Sequence, residues 1–365
     1  MQRGFDLPTS KRVAGSVPVV ASRGITGYHN ESKVKGPGVV IGRSGSIGGG
    51  QFIPNDFWPL NTTLWVKDFK NHNERFIYYL LKNIDFTTFN AGASVPTLNR
   101  NHLSSILIPL FSLEAEREIA NILSAYDDLI ENNQRRIELL EQAARLLYKE
   151  WFVNLRFPGH EHVKIIDGVP EGWHTKIIDD VCDTIGGGTP STKNPDYWDG
   201  GDITWVIPSD ITKNDCLVLI DSERKITEAG LRSSSARMVP SETILMTSRA
   251  SVGFFGLIEK EVCTNQGFIN IIPHEEWLRM YLLYNLMWRV EEIRAHAGGS
   301  TYKEISKGRF RQMPIIVPEK MIAKEFYDFS YQILQQIRTL KKQQFKLKEA
   351  RDLLLPKLMS GEISV

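Results

Sequence analysis

Asp196, Glu223 and Lys225 are the residue types of a magnesium-dependent nuclease, in which paired acids hold the ion and help activate water. In a chain with 43 acidic residues such a trio arises by coincidence, and the run from Asp221 to Lys225, ahead of a turn-like TEAGL segment, reads as a solvated face. Asn194, Pro195, Asp196 and Tyr197 approximate the Asn-Pro-Pro-Tyr loop with which adenine methyltransferases hold a flipped base. The third residue is Asp, however, and no glycine-rich cofactor strand precedes it. GGGTPSTK (186–193) has glycines, threonines and a lysine but lacks the GxxxxGK[ST] spacing that wraps phosphates. The histidines show no HExxH spacing, and Cys182, Cys216 and Cys263 make neither a zinc pattern nor a disulfide framework, so no metal is expected. No catalytic constellation emerges.

Binding fits the polar residues better. Two sets of Ser/Thr/Gly-rich loops interleave cations with aromatics: Arg23, Tyr28, His29, Lys33, Arg43 and Ser44 in the first, and Ser191, Lys193, Lys213, Ser248, Arg249, Thr301, Tyr302 and Lys303 in the second. Such loops offer Arg and Lys to phosphates and guanine edges, and hydroxyls to the remaining base edges. With 44 basic against 43 acidic residues the net charge is +1, so a polyanion must be met by local patches and not by a global field.

The elements that position these loops occur twice. VVIGRSGSIG (39–48) is answered by TILMTSRASVG (243–253), matching Ser46 to Ser251 and Gly48 to Gly253, a period of about 205 residues. PLNTTLWV (59–66) is answered by CTNQGFIN (263–270), pairing Asn61 with Asn265; FNAGAS (89–94) by AHAGGS (295–300); and the apolar run SILIP (105–109) by PIIVP (314–318). Each half then enters a long amphipathic helix. In the first, a heptad frame places Leu123, Ile130, Asn133, Ile137, Leu140 and Leu147 on one seam; in the second, Ile333, Leu340, Leu347 and Leu354 share a seam with Gln336 and Gln343. A helix of roughly 40 residues spans about 60 Å, longer than a small domain is wide, so each stripe needs a long partner. The other helix supplies it, and a two-fold repeat makes the pairing antiparallel, with Asn133, Gln336 and Gln343 as buried polar register markers.

The expected fold is α+β: two α/β domains with irregular mixed sheets (1–110 and 174–317), separated by two long helices (111–152 and 318–360) that form an antiparallel coiled coil, with a connection at 153–173. A length of 365 residues exceeds one ordinary core, and 42% hydrophobic with 24% charged residues is a globular composition. No window is apolar enough for a membrane span and no signal-peptide pattern opens the chain, so a cytoplasmic location is expected.

Taken together, GFDLPTSKR, GPGVVIGRSGSIG and WPLNTT in the first half, IGGGTPSTKNPDYWDGGDITWVIPSDI, MTSRASVG and TNQGF in the second, and the closing LLLPKLMSGEI resemble a specificity subunit of a type I restriction-modification system. The resemblance covers essentially the whole chain. It implies a non-catalytic DNA-binding subunit with two target recognition domains, each reading one half of an asymmetric bipartite site in double-stranded DNA. It further implies helices that set the spacer and bind methylation subunits, two of them, with restriction subunits joining through the complex. No cofactor is expected on this chain; S-adenosylmethionine, ATP and magnesium belong to partner subunits. The alternatives are a single-chain methyltransferase or nuclease with its own DNA reader, and a coiled-coil protein adaptor. One departure stands out: the second domain opens with PEGWHTKIIDDVCDTI before its GGGTP, whereas the first begins almost at GFDLP, so the first domain is expected to lack a first strand.

Overall fold

A computed structural model of the chain describes residues 1–90, 95–299 and 302–365, in two units: residues 1–131 with 345–365, and residues 132–344. The first unit carries β1 (Gln2–Arg3), β2 (Val17–Ala21), β3 (Gly24–His29), β4 (Gly38–Gly42), β5 (Gly48–Ile53), β6 (Trp58–Pro59), β7 (Thr63–Trp65) and helix α1 (Glu74–Asn83). Its four-stranded sheet runs β1-β7-β4-β5 and its three-stranded sheet β3-β2-β6. Strand β4, GVVIG, is buried along its whole length between β7 and β5, the environment that β-branched residues favour.

Helix α2 (Leu113–Tyr148) starts where the Ser112 hydroxyl accepts the amide of Ala115, and it passes from the first unit into the second. The second unit continues with the hairpin β8 (Ile165–Ile166) and β9 (Val169–Pro170), then β10 (His174–Ile177), β11 (Cys182–Gly186), β12 (Ile203–Val206), α3 (Pro208–Thr212), β13 (Lys225–Ile226) and α4 (Glu228–Arg232). TEAGL is thus a short helix and not a turn: the Thr227 hydroxyl caps it by accepting the amide of Gly230. There follow β14 (Ile244–Thr247), β15 (Phe255–Gly256), β16 (Cys263–Thr264), β17 (Phe268–Pro273), α5 (Arg279–Trp288), α6 (Val290–Ala295), α7 (Lys307–Arg311) and β18 (Pro314–Val317). The last helix is α8 (Lys320–Ser360), closed by Gly361 in the left-handed conformation with φ 76°, which explains the glycine of the terminal LMSGEI.

The strand orders repeat. The second unit has β11-β17-β14-β15 and β13-β12-β16, and pairs β10 with β18 besides. Registers agree residue by residue: Gly42 pairs with Thr63 as Thr247 pairs with Phe268, and Val19 with Trp58 as Trp205 with Cys263. The ladders correct one correspondence. The amide of Leu60 bonds the Val20 carbonyl as that of Asn265 bonds Val206, so Asn61 matches Gln266 and not Asn265. A shared asparagine is a weaker constraint than a continuous ladder.

SILIP forms no strand. In the second unit β18 pairs with β10, His174 opposite Val317, and buries Ile315 and Val317. Among the described residues the first unit offers no counterpart of β10, and Leu107 is 98% exposed with Ile108 and Leu110 also out in solvent.

The helices run antiparallel within each unit. In the first, Ile119, Ala120 and Leu123 of α2 pack with Leu355, Leu358 and Met359 of α8 against Phe76, Tyr79 and Leu80 of α1. Arg351 reaches Asp127 at 2.5 Å, and Asp127 also accepts the Tyr79 hydroxyl at 2.7 Å. In the second, Ile137 and Ala144 share a core with Leu334, Ile337 and Leu340. There α2 ends in a π turn, Lys149–Val153, whose Trp151 and Phe152 join Tyr148 and Tyr284 around Phe326 at ring separations of 5.0 to 6.0 Å. Each such aromatic pair adds about 0.5–1.5 kcal/mol beyond burial.

Of the first seam, Leu123, Asn133 and Ile137 are buried and Ile130, Leu140 and Leu147 half-buried. The second seam needs correction: Gln336 and Gln343 are exposed, Ile333, Leu347 and Leu354 only half-buried, and Leu340 is buried. The buried face runs through Ser330, Leu334, Ile337, Arg338 and Gln344 instead. Here α8 packs on its own recognition part as well as on α2, so its buried face is wider than a two-helix seam; Arg338, 2% exposed, bonds Glu242 at 2.7 Å. Asn133 still donates to Gln343, at 3.4 Å, and Gln344 donates to Gln134 at 3.1 Å.

Candidate nucleic-acid interface

The loops singled out in the sequence converge, unit by unit, through backbone hydrogen bonds. In the second unit the amide of Gly188 bonds Thr264, the amide of Ser248 bonds Gly267, the amide of Ile305 bonds Ser248, and that of Ala250 bonds Lys303. GGGTPS, TNQGF, TSRASVG and the segment after residue 301 therefore lie side by side. Gly187 is needed for this: a Cβ there would come within 2.0 Å of the Asn265 carbonyl oxygen. The first unit repeats the arrangement. The amides of Arg43 and Ser44 bond Thr62, the amide of Leu98 bonds Arg43, and that of Gly45 bonds Pro96. Gly4 stands where Gly187 does, its absent Cβ within 2.2 Å of the Leu60 carbonyl oxygen.

The repeat makes Arg43 equivalent to Ser248 and Ser44 to Arg249, since the ladder pairs Ser44 with Thr97 and Arg249 with Glu304. The two units thus place arginine differently. Arg43 is half-buried, its Nε donates to the Asn61 carbonyl at 3.1 Å, and burial together with the nearby charge of Arg3 lowers its pKa. Arg249 points to solvent with a loose contact to Glu304 at 3.7 Å, worth little in water and easily exchanged for another anion. Ser248 is 3% exposed and engaged through its backbone, so it supports the loop and offers no hydroxyl to a base.

His29 is corrected likewise. It is 5% exposed, accepts the Val13 amide at 3.0 Å on Nδ1, and packs edge-on against Trp58 at 5.2 Å. It is a core group that fixes the β2–β3 hairpin. Arg23 and Tyr28 on that hairpin are exposed, and Lys33 sits over Trp58 at 4.9 Å, exposed. In the second unit Ser191, Lys193, Lys213, Tyr302 and Lys303 are all exposed, while Thr301 lies outside the described residues. Lys213 is apart from the converging loops, at the end of α3 in a shallow recess with Asp210, Asp221 and Glu223. Acids on that scale repel a polyanion.

Sequence reasoning passed over Arg3, Arg100, Arg237 and Lys307, single cations with no motif around them. The structure sets each beside the converging loops. The acids of the nuclease reading go elsewhere: Lys225 pairs with Asp221 at 3.6 Å, and Asp196 and Glu223 are exposed. Among the described residues no group of three or more His, Cys, Asp or Glu is placed to hold a metal ion, and no helix is long and apolar enough to cross a membrane.

Duplicated sheets carrying unlike polar loops, joined to a pair of long helices, define a class of modular binding protein. The model of the type I restriction modification DNA specificity domain matches residues 6–142 and 170–349, and the chain belongs to that family. It is 37% identical over 155 residues to the type I restriction enzyme MjaIX specificity subunit of Methanocaldococcus jannaschii, a match spanning 42% of this chain and 36% of that protein. It is 24% identical over 357 residues to the HindI specificity subunit of Haemophilus influenzae, covering 79% of this chain and 77% of the relative. The crystal structure of a type I restriction-modification system S subunit from M. genitalium superposes with a TM-score of 0.65 at 17% identity, over 98% of this chain and 92% of that one, and so shares the fold.

Proposed function

We propose that the chain is the DNA sequence-specificity subunit of a type I restriction-modification complex, in which each unit reads one half of an asymmetric bipartite site in double-stranded DNA. The observation that carries this is the repeat itself: one ladder register, used twice, carries half-buried Arg43 beside Ser44 in one unit and exposed Arg249 beside a buried, loop-supporting Ser248 in the other. Two readers with one backbone and different side chains select different bases. The chain is non-catalytic; its long helices dock the methylation subunits, restriction subunits join through the complex, and S-adenosylmethionine, ATP and magnesium are held by those partners.

Methylation mapping in cells carrying the system with Arg43→Ala or Arg249→Ala tests the reading. Each variant is expected to relax recognition in one half of the motif only, by about 1–3 kcal/mol at one base pair where a bidentate guanine contact is lost. A strictly palindromic motif, or unchanged motifs in both variants, overturns it. The purified chain alone is expected neither to methylate nor to cut a duplex.

A further inference from the structure

In the first unit, a crevice of about 440 Å³ opens between β1 and the turn that follows Leu98, with Arg3, Arg43 and Arg100 on its walls. In the second, a crevice of about 590 Å³ opens between β11 and α7, walled by Gly186, Gly187, Arg237, Lys307 and Arg311. These are the same place in the repeat. Arg3 pairs with Leu64 as Gly186 pairs with Ile269, and Leu98 bonds Arg43 as Ile305 bonds Ser248; two residues further along stand Arg100 and Lys307. The residues differ, yet both crevices gather three cations.

Those cations lack internal counter-charges. Among the described residues Arg3, Arg43, Arg100, Arg237 and Lys307 form no ion pair with a carboxylate; Arg311 alone does, with Asp179 at 3.2 Å, and it is pinned further by two bonds to Thr184. Gathering like charges without an acid costs free energy that an anion recovers, and the burial-lowered pKa of Arg43 reports that cost on one of them. Gly186 leaves room in the second crevice: the Lys307 side chain lies close against it, with Nζ 3.2 Å from where a Cβ would stand. Each crevice adjoins the converging loops of its unit, so an anion seated there is next to the bases being read.

We propose that each crevice seats a backbone phosphate of the duplex beside the half-site its unit reads, held by Arg3 and Arg100 in the first unit and by Arg237 and Lys307 in the second. The proposal rests on the DNA-reading function above and adds a sequence-blind anchor to each reader. Phosphate contacts fix orientation and register without selecting bases, and each releases condensed counterions, so binding weakens with salt in proportion to their number.

The test is equilibrium binding of the full chain, assembled with its methylation subunits, to a duplex carrying its methylated motif and to one with the motif scrambled, across a salt series. Arg3→Ala with Arg100→Ala, and separately Arg237→Ala with Lys307→Ala, are expected to lower affinity for both duplexes by a common factor. Each pair should flatten the slope of log K against log salt by about 1 to 2, with the methylated motif unchanged. Arg237→Lys with Lys307→Arg should restore the wild-type slope, which separates lost charge from lost folding. Wild-type slopes in both alanine pairs, or a changed motif in either, overturn the proposal. A wild-type complex that fails to distinguish the two duplexes defeats instead the DNA-reading function on which it depends.

Discussion

The two units use one plan with different reinforcement. The second adds the β10–β18 pair and a five-residue β11, whereas the first has a two-residue β1 and leaves residues 106–110 without a strand partner among the described residues. Its α8 segment is also tied more loosely. Arg338 is buried between Glu242 and Glu259 in the second unit, while the corresponding tie in the first, Arg351 to Asp127, is partly open to solvent. Both units nevertheless keep the same loop convergence. The ladder through β4, β7 and the loop at 97–98, and its counterpart through β14, β17 and the loop at 304–305, suffice to position the readers, and the extra pairing strengthens the frame.

The largest effect that would sharpen this contrast lies at Arg338. Burial opposes its charge, but the hydrogen bond and charge of Glu242, with Glu259, outweigh burial and raise its pKa. Arg338→Ala leaves Glu242 partly buried without its partner, at an expected cost of about 3–5 kcal/mol to the second unit. Arg351→Ala should cost about 1 kcal/mol, because Asp127 keeps the Tyr79 hydroxyl and has access to water. Hydrogen exchange resolved by unit reads both, and equal losses would erase the distinction.

Next comes the strand that, among the described residues, one unit has and the other lacks. Ile315, 2% exposed, should cost about 2–5 kcal/mol when cut to alanine. Leu107→Ala should stay within about 0.5 kcal/mol, and the amides of 106–108 should exchange far faster than those of 315–317. Comparable protection in the two segments would mean that 106–108 is paired in solution.

The smallest effect changes no stability and reports on one unit alone. Cys182, Cys216 and Cys263 all lie in the second unit, and burial pushes each thiol up to about 12. A raised thiol pKa leaves almost no thiolate at pH 8, so alkylation there should be slow until the second unit opens. Fast alkylation of the folded chain at pH 8 would contradict the packing around them; in Arg338→Ala the rate should rise, and in Arg351→Ala it should not.

Much of the architecture was legible from local pattern. Strands at 39–41, 203–206 and 269–272, both long helices, and the repeat offset all follow from periodicities of two and about 3.6 residues and from the order of glycine-rich motifs. Side-chain roles were less legible. His29 and Ser248 look the same in sequence whether they face a base or a core. Gln336 and Gln343 were placed one face away from the buried Gln344 because α8 packs on two surfaces, and a heptad frame describes only one.

The sequence by itself determined that there are two readers, that they differ, and that long helices accompany them, since each of these is written in neighbouring residues and their spacing. Only tertiary structure decided that Arg3 stands beside Arg100 and Arg237 beside Lys307, that Arg43 is tucked in where Arg249 faces out, and that SILIP stays open. Those outcomes depend on which ladder a segment joins and in what register, and a one-residue change of register exchanges the inward and outward faces of a strand.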